Sequence, residues 1–158
     1  MKEVLQTQNS FYHDIKSILQ TARDNAYKSV NFIMVEAYWN IGKKIVEVEQ
    51  NGETKAKYGS NLISELSKQL TVDFGAGFSA RNIRNMRQFY NCFPIWQTVS
   101  AKLSWSHYLL ILKLEDEKAR EWYIKECEAS NWSVRALERQ INSHYFERIL
   151  LSSDKISV

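Results

Sequence analysis

Proline occurs once in this chain, at Pro94, and glycine only five times in 158 residues. An all-β sandwich or barrel needs turn signals every ~8–12 residues, so that class is excluded. No apolar run approaches the roughly 18 residues that a membrane-spanning helix requires. The opening Met1-Lys2-Glu3-Val4-Leu5-Gln6 lacks the apolar stretch of a signal peptide. Cys92 and Cys127 are too few and too isolated for a disulfide framework or a metal cage. What is abundant is core material, with 44% hydrophobic and 13% aromatic residues. A chain of this length buries roughly 68–70% of its unfolded surface. The expectation is a soluble, cytoplasmic, all-α protein forming a single domain, with a packed part over about residues 10–150 and a frayed tail at 151–158.

Acidic residues are also missing from one long stretch. No Asp or Glu occurs between Asp73 and Glu115, although the chain has 18 acids. Basic and acidic side chains balance over residues 1–79 and nearly balance after 103. The formal charge of +3 therefore comes from Arg81, Arg84, Arg87 and Lys102. A local positive field of this kind suits an anionic partner such as nucleic acid. It also fits an ordinary solvated helix face whose acids lie elsewhere.

Hydrophobic periodicity predicts about seven helices. The first covers about 10–23 behind Ser10 as N-cap, with Phe11, Ile15, Ile18 and Leu19 as its stripe. The second covers about 25–50, with Val30, Met34, Ala37, Ile41, Ile45 and Val48 on one face. Within it Gly42 is expected to let another helix come close, and Asn51-Gly52 is its stop signal. Ser60 is the expected cap of a third helix, about 60–72. Asp73-Phe74-Gly75-Ala76-Gly77-Phe78 is the clearest turn, with glycines free to take positive φ. Ser79 caps a fourth helix reaching Tyr90, and 91–103 reads as loop. The remaining helices fall at about 105–113, 117–129 behind Asp116, and 134–150 behind Ser133.

Two pairs of these helices resemble helix-turn-helix units. On the fourth helix, Ile83, Met86 and Tyr90 form the expected buried face. Arg81, Arg84, Asn85 and Gln88 lie opposite, with Arg87 at the edge. Arg pairs bidentately with phosphate or guanine, and Asn or Gln with adenine. These five, with Lys102 and Lys113 as phosphate contacts, are the primary nucleic-acid candidates. On the last helix Val134, Leu137 and Ile141 face inward, and Arg135, Arg139 and Asn142 face out as secondary candidates, diluted by Glu138. Of the tryptophans, Trp39, Trp122 and Trp132 are assigned to the core. Trp96 and Trp105 stay open between core and base stacking.

Catalytic machinery is not evident. His13, His107 and His144 have no neighbours at metal-ligand spacing, so neither a metal nor a cofactor is expected. Gly75-Ala76-Gly77 lacks the Lys-Ser/Thr of a phosphate loop and follows a helix. Asp116-Glu117-Lys118 and Glu53-Thr54-Lys55 match the short half of a PD-(D/E)xK nuclease motif only as strings, with no Pro-Asp upstream. The chain alone is expected to have no catalytic activity.

Five stretches are nevertheless distinctive together. They are Tyr38-Trp39-Asn40-Ile41-Gly42-Lys43-Lys44-Ile45, Tyr58-Gly59-Ser60-Asn61-Leu62-Ile63, the run from Gly77 to Tyr90, Leu103-Ser104-Trp105-Ser106-His107-Tyr108, and Trp132 to Ile141. In this order they resemble the N-terminal domain of the YhcG family of bacterial proteins, over about residues 10–150. The resemblance implies a bacterial origin, a role in binding DNA, and a separate C-terminal PD-(D/E)xK nuclease-like domain that would begin where this chain stops. Two functions remain open. One is a nucleic-acid-binding module, for duplex DNA by the resemblance. The other is an interaction module that positions a nuclease or partner, or forms a homodimer through the long second helix.

Overall fold

The computed structural model describes residues 2–51 and 61–156, and every regular element among them is helical. The helices are α1 Lys2–Gln50, α2 Leu62–Phe74, α3 Ala80–Cys92, α4 Trp105–Ile111, α5 Glu117–Ser130, α6 Val134–Asn142 and α7 Tyr145–Ile156, with a 3-10 turn at Trp96–Thr98. The expected all-α architecture is what the chain adopts.

Several boundaries differ from the expectation, each for a local reason. The first two predicted helices are one continuous α1, and Ser10 lies inside it rather than capping it. Nothing between Ser10 and Lys28 breaks a helix, and Gln20 donates to Asp24 one turn on, at 3.2 Å. The last predicted helix is two. It stops at Ser143, and His144 takes a left-handed φ of 54° before α7 begins. Ser60 and Gly52, the expected cap and stop, lie outside the described residues, as does Glu53-Thr54-Lys55. Asn61 stands at the head of α2 without a side-chain cap bond.

The other caps form as the residue types dictate. The Ser79 hydroxyl accepts from the Asn82 amide at 3.1 Å, Ser133 from Ala136 at 3.1 Å, and Asp116 from Lys118 at 3.0 Å. Each satisfies a backbone N–H that has no partner within its helix. Gly75 and Gly77 have φ of 81° and 107°, and the Ser67 hydroxyl donates to the Phe78 carbonyl at 2.6 Å, tying this turn back to α2.

Helix α3 is the centre of the molecule, with α1, α2 and α4 around it. Val35, Trp39, Gly42, Ile45 and Val46 are the buried part of α1. This is not the predicted face. Val30 and Met34 are exposed, and of the predicted six only Ile45 is fully buried. Gly42 sits so close to α3 that a Cβ there would collide with the Met86 carbonyl oxygen and come within 3.2 Å of the Tyr90 Cβ.

On α3, Ile83, Met86 and Phe89 are fully buried, and Tyr90 is half-buried. The expected stripe omitted Phe89 because one amphipathic face was assumed. Two sides of α3 are covered instead. Met86 and Tyr90 meet α1, while Phe89 stacks on Trp105 and packs against Tyr108 of α4, at 5.3 and 4.7 Å between ring centres. The Tyr108 hydroxyl donates to the Ser100 carbonyl and accepts from the Ser100 amide, pinning the 95–103 loop.

The carboxy-terminal helices form a second aromatic layer. Trp122, Tyr123, Tyr145 and Phe146 contact one another, and Leu137 and Cys127 are buried across the α5–α6 turn. Asn131 makes that turn with left-handed backbone, φ 51° and ψ 45°. Asn tolerates this conformation better than most residues. All five tryptophans make packing contacts. Trp39 is buried and donates to the Phe93 carbonyl at 2.7 Å, Trp96 packs on Trp39, Trp105 on Phe89, and Trp122 on Trp132.

Candidate nucleic-acid interface

The outward side of α3 forms one wall of an open cleft of about 800 Å³. Arg81, Asn85 and Gln88 of that wall face Lys113 and Arg120 across it, with Glu115 the lone acid of the lining. The α3 residues share a side because they are spaced by four, three and seven along a helix. The Ser79 cap directs α3 out of the glycine turn. Asn82 holds the same corner, donating to the Gly77 carbonyl at 2.6 Å and accepting from the Trp105 indole at 3.1 Å.

The opposite wall is the α4–α5 connection, fixed by two long side chains. Gln88 donates to the Leu112 carbonyl at 2.9 Å, bridging the walls. The Arg120 guanidinium donates to the Leu114 and Glu115 carbonyls at 2.8 and 3.1 Å. Those bonds engage one nitrogen of Arg120 and hold its charge at the cleft. Chemically, the cleft offers two guanidinium groups, an ammonium and three side-chain amides, of Asn82, Asn85 and Gln88, along an open groove. That combination suits a polyanionic backbone with polar base edges.

Not every predicted residue joins this cleft. Arg84 is exposed on the flank of α3, outside the lining. Arg87 is turned toward α1, where its Nη1 lies 3.0 Å from Glu49 Oε1. Glu49 thus supplies the acid that the 74–114 stretch lacks, and neutralises one of the five basic charges there. Lys102 is exposed in the turn before α4, also outside the lining. Arg135, Arg139 and Asn142 are exposed on α6, separate from the cleft. Arg120 was missed by sequence reasoning. It sits in a mixed-charge helix, and only the chain reversal at 112–116 brings it to α3.

Among the described residues no group of three or more His, Cys, Asp or Glu side chains could hold a metal ion. No helix among the described residues is long and apolar enough to cross a membrane. Burial, opposed by Arg120, pushes the Cys92 thiol above its ordinary value. Burial with Glu128 and Glu126 pushes Cys127 up to about 11. Neither has the depressed pKa of a reactive thiol.

Comparison with known proteins bears on what this cleft serves. The family model described as the DUF1016 N-terminal domain matches residues 14–148. The chain is also 40% identical, over 176 aligned positions, to the Escherichia coli (strain K12) protein described as "Putative nuclease YhcG". That alignment covers 90% of this chain and 47% of the relative, so the chain spans about half the length of the curated relative it matches. No solved structure matches it.

Proposed function

The chain belongs to the DUF1016 N-terminal domain family, and from that membership we propose that it is a helical nucleic-acid-binding module serving a nuclease. Its target is duplex DNA in the bacterial cytoplasm, and the nuclease chemistry belongs to a separate PD-(D/E)xK-like domain of a longer protein. The observation that carries this reading is the convergence of Arg81, Lys113 and Arg120 on a single open cleft lined by one acid. Arg81, Lys113 and Arg120 contact phosphates, Arg84 extends the contact along the flank, and Asn85 reaches base edges. The glycine turn that joins α2 to α3 is longer than that of a tight helix-turn-helix. Arg135 and Arg139 provide a second, weaker track, and Lys102 lies beyond both.

Salt dependence is the decisive measurement. Each phosphate contact contributes about 0.9 to the slope of log affinity against log salt. The Arg81→Ala, Arg84→Ala, Lys113→Ala triple variant should therefore flatten the slope by about three units. Arg87→Ala should change it by less than about one unit, because Glu49 already engages that guanidinium. Circular dichroism must show the triple variant folded, as its exposed positions lead one to expect. An unchanged slope in that folded variant, or no duplex binding by the parent at low salt, overturns the reading.

A further inference from the structure

Among the described residues, nothing covers the stretch of α1 from Ser10 to Asn31. Every described side chain from Ser10 to Asn31 is exposed. An isolated helix in water is marginal even with good helix formers, and stability normally comes from burying an apolar face. This part of α1 has such a face. Phe11, Ile15, Ile18, Leu19, Val30 and Ile33 are between 42% and 68% exposed. At 3.6 residues per turn they fall in one stripe, with Ala22 and Ala26 at its centre. The stripe lies about 150° round the helix from the Val35-Trp39-Gly42-Val46 face that meets α3. The folded domain therefore cannot cover it by continuing along α1.

We infer that this stripe pairs with the same stripe of a second copy of the chain, antiparallel about Ala22. Three properties of the surface select a second copy. The first is area. With roughly 100 Å² accessible on each large side chain, plus the alanines and flanking stems, the stripe offers on the order of 800 Å² per copy. That is what a standard interface takes from each partner. The second is shape. Pairing centred on Ala22 sets Ala22 against its own counterpart, Ile18 against Ala26, and Phe11 against Ile33. The small central residues let the helix axes approach while the large ones close the ends. The third is charge. From Ser10 to Met34 the helix carries Lys16, Arg23 and Lys28 against Asp14 and Asp24, so two copies meet with little net repulsion.

Sedimentation equilibrium of the full chain, from about 1 to 100 μM, tests this. The parent should show a dimer mass that falls on dilution. Ile15→Glu with Leu19→Glu should weaken association by at least about 100-fold, leaving tryptophan fluorescence unchanged because both sites are far from the aromatic core. An Ala22→Cys variant should form a covalent dimer under mild oxidant, because symmetry sets that position against itself. A parent that stays monomeric at 100 μM overturns the inference. So does a dimer that survives the double substitution, or an Ala22→Cys protein that does not cross-link.

Discussion

Gly42→Ala sets two effects of opposite sign against each other at one atom. In an exposed helix interior the change would stabilise by about 1 kcal/mol, because alanine lowers the entropy lost on forming helix. Here the added Cβ meets the Met86 carbonyl oxygen, a backbone atom held in the middle of α3 that cannot rotate aside. Helices α1 and α3 must then separate, and Val35, Trp39, Ile45 and Val46 lose close contact together. A radial gap of about 0.5–1 Å forfeits a quarter to a half of each dispersion well. Overpacking of this kind costs about 1–3 kcal/mol, and with this many buried neighbours the upper end applies. The expected net is a loss of about 2 kcal/mol, after the propensity gain is subtracted. For a chain of this size that lowers Tm by roughly 4–8 °C. Urea unfolding followed by circular dichroism, with an unchanged m value and fixed protein concentration, measures it. A Gly42→Ala protein more stable than the parent would refute the close-approach account of α1 and α3.

Two further outcomes follow from side chains in the carboxy-terminal half. His107 Nδ1 accepts from the Ser104 amide at 3.1 Å, which leaves Nε2–H to donate to the Trp132 carbonyl at 2.9 Å. His107→Ala removes both bonds and should destabilise by about 1–3 kcal/mol, while nitrogen NMR of the parent should show the Nε2–H tautomer. Burial holds the Cys127 thiol up at about 11 in the folded chain, above its ordinary value of 9.0. Its raised value contributes stability that is complete below the unfolded pKa and is lost as pH rises toward 11. Urea midpoints measured from pH 8 to 11 should fall with pH, and less steeply in Cys127→Ala. Equal slopes would contradict the assignment.

Local chemistry made much of this fold readable in advance. Ser79, Asp116 and Ser133 announce helix starts because their side chains can accept an otherwise unpaired amide. Gly75 and Gly77 announce a turn because they take positive φ without strain. Tertiary events were harder to see. Phe89 was unread because α3 is buried on two sides, and a single periodic stripe cannot report a second neighbour. The break at His144 was unread because a histidine in left-handed backbone leaves no compositional trace. At the candidate cleft, Arg81, Asn85, Gln88 and Lys113 were visible as residue types on a face or at a helix end. Arg120 was invisible because its place depends on a chain reversal, and the pairing of Arg87 with Glu49 joins residues 38 positions apart.

The closeness of α1 to α3 at Gly42 has a mechanical consequence for the far end of α1. Phe11 lies 31 residues before Gly42, about 46 Å along the axis at 1.5 Å per residue. Helix α1 is therefore a long arm clamped from Val35 to Val46, with the Met86 carbonyl against the middle of the clamp. A rocking of 10° about that point would carry Phe11 through an arc of about 8 Å. Backbone resting on backbone makes a stiff clamp, since no side chain lies between them to change rotamer. A force applied at the tip would act on α3 with that leverage, and α3 is the helix that carries the basic wall of the cleft.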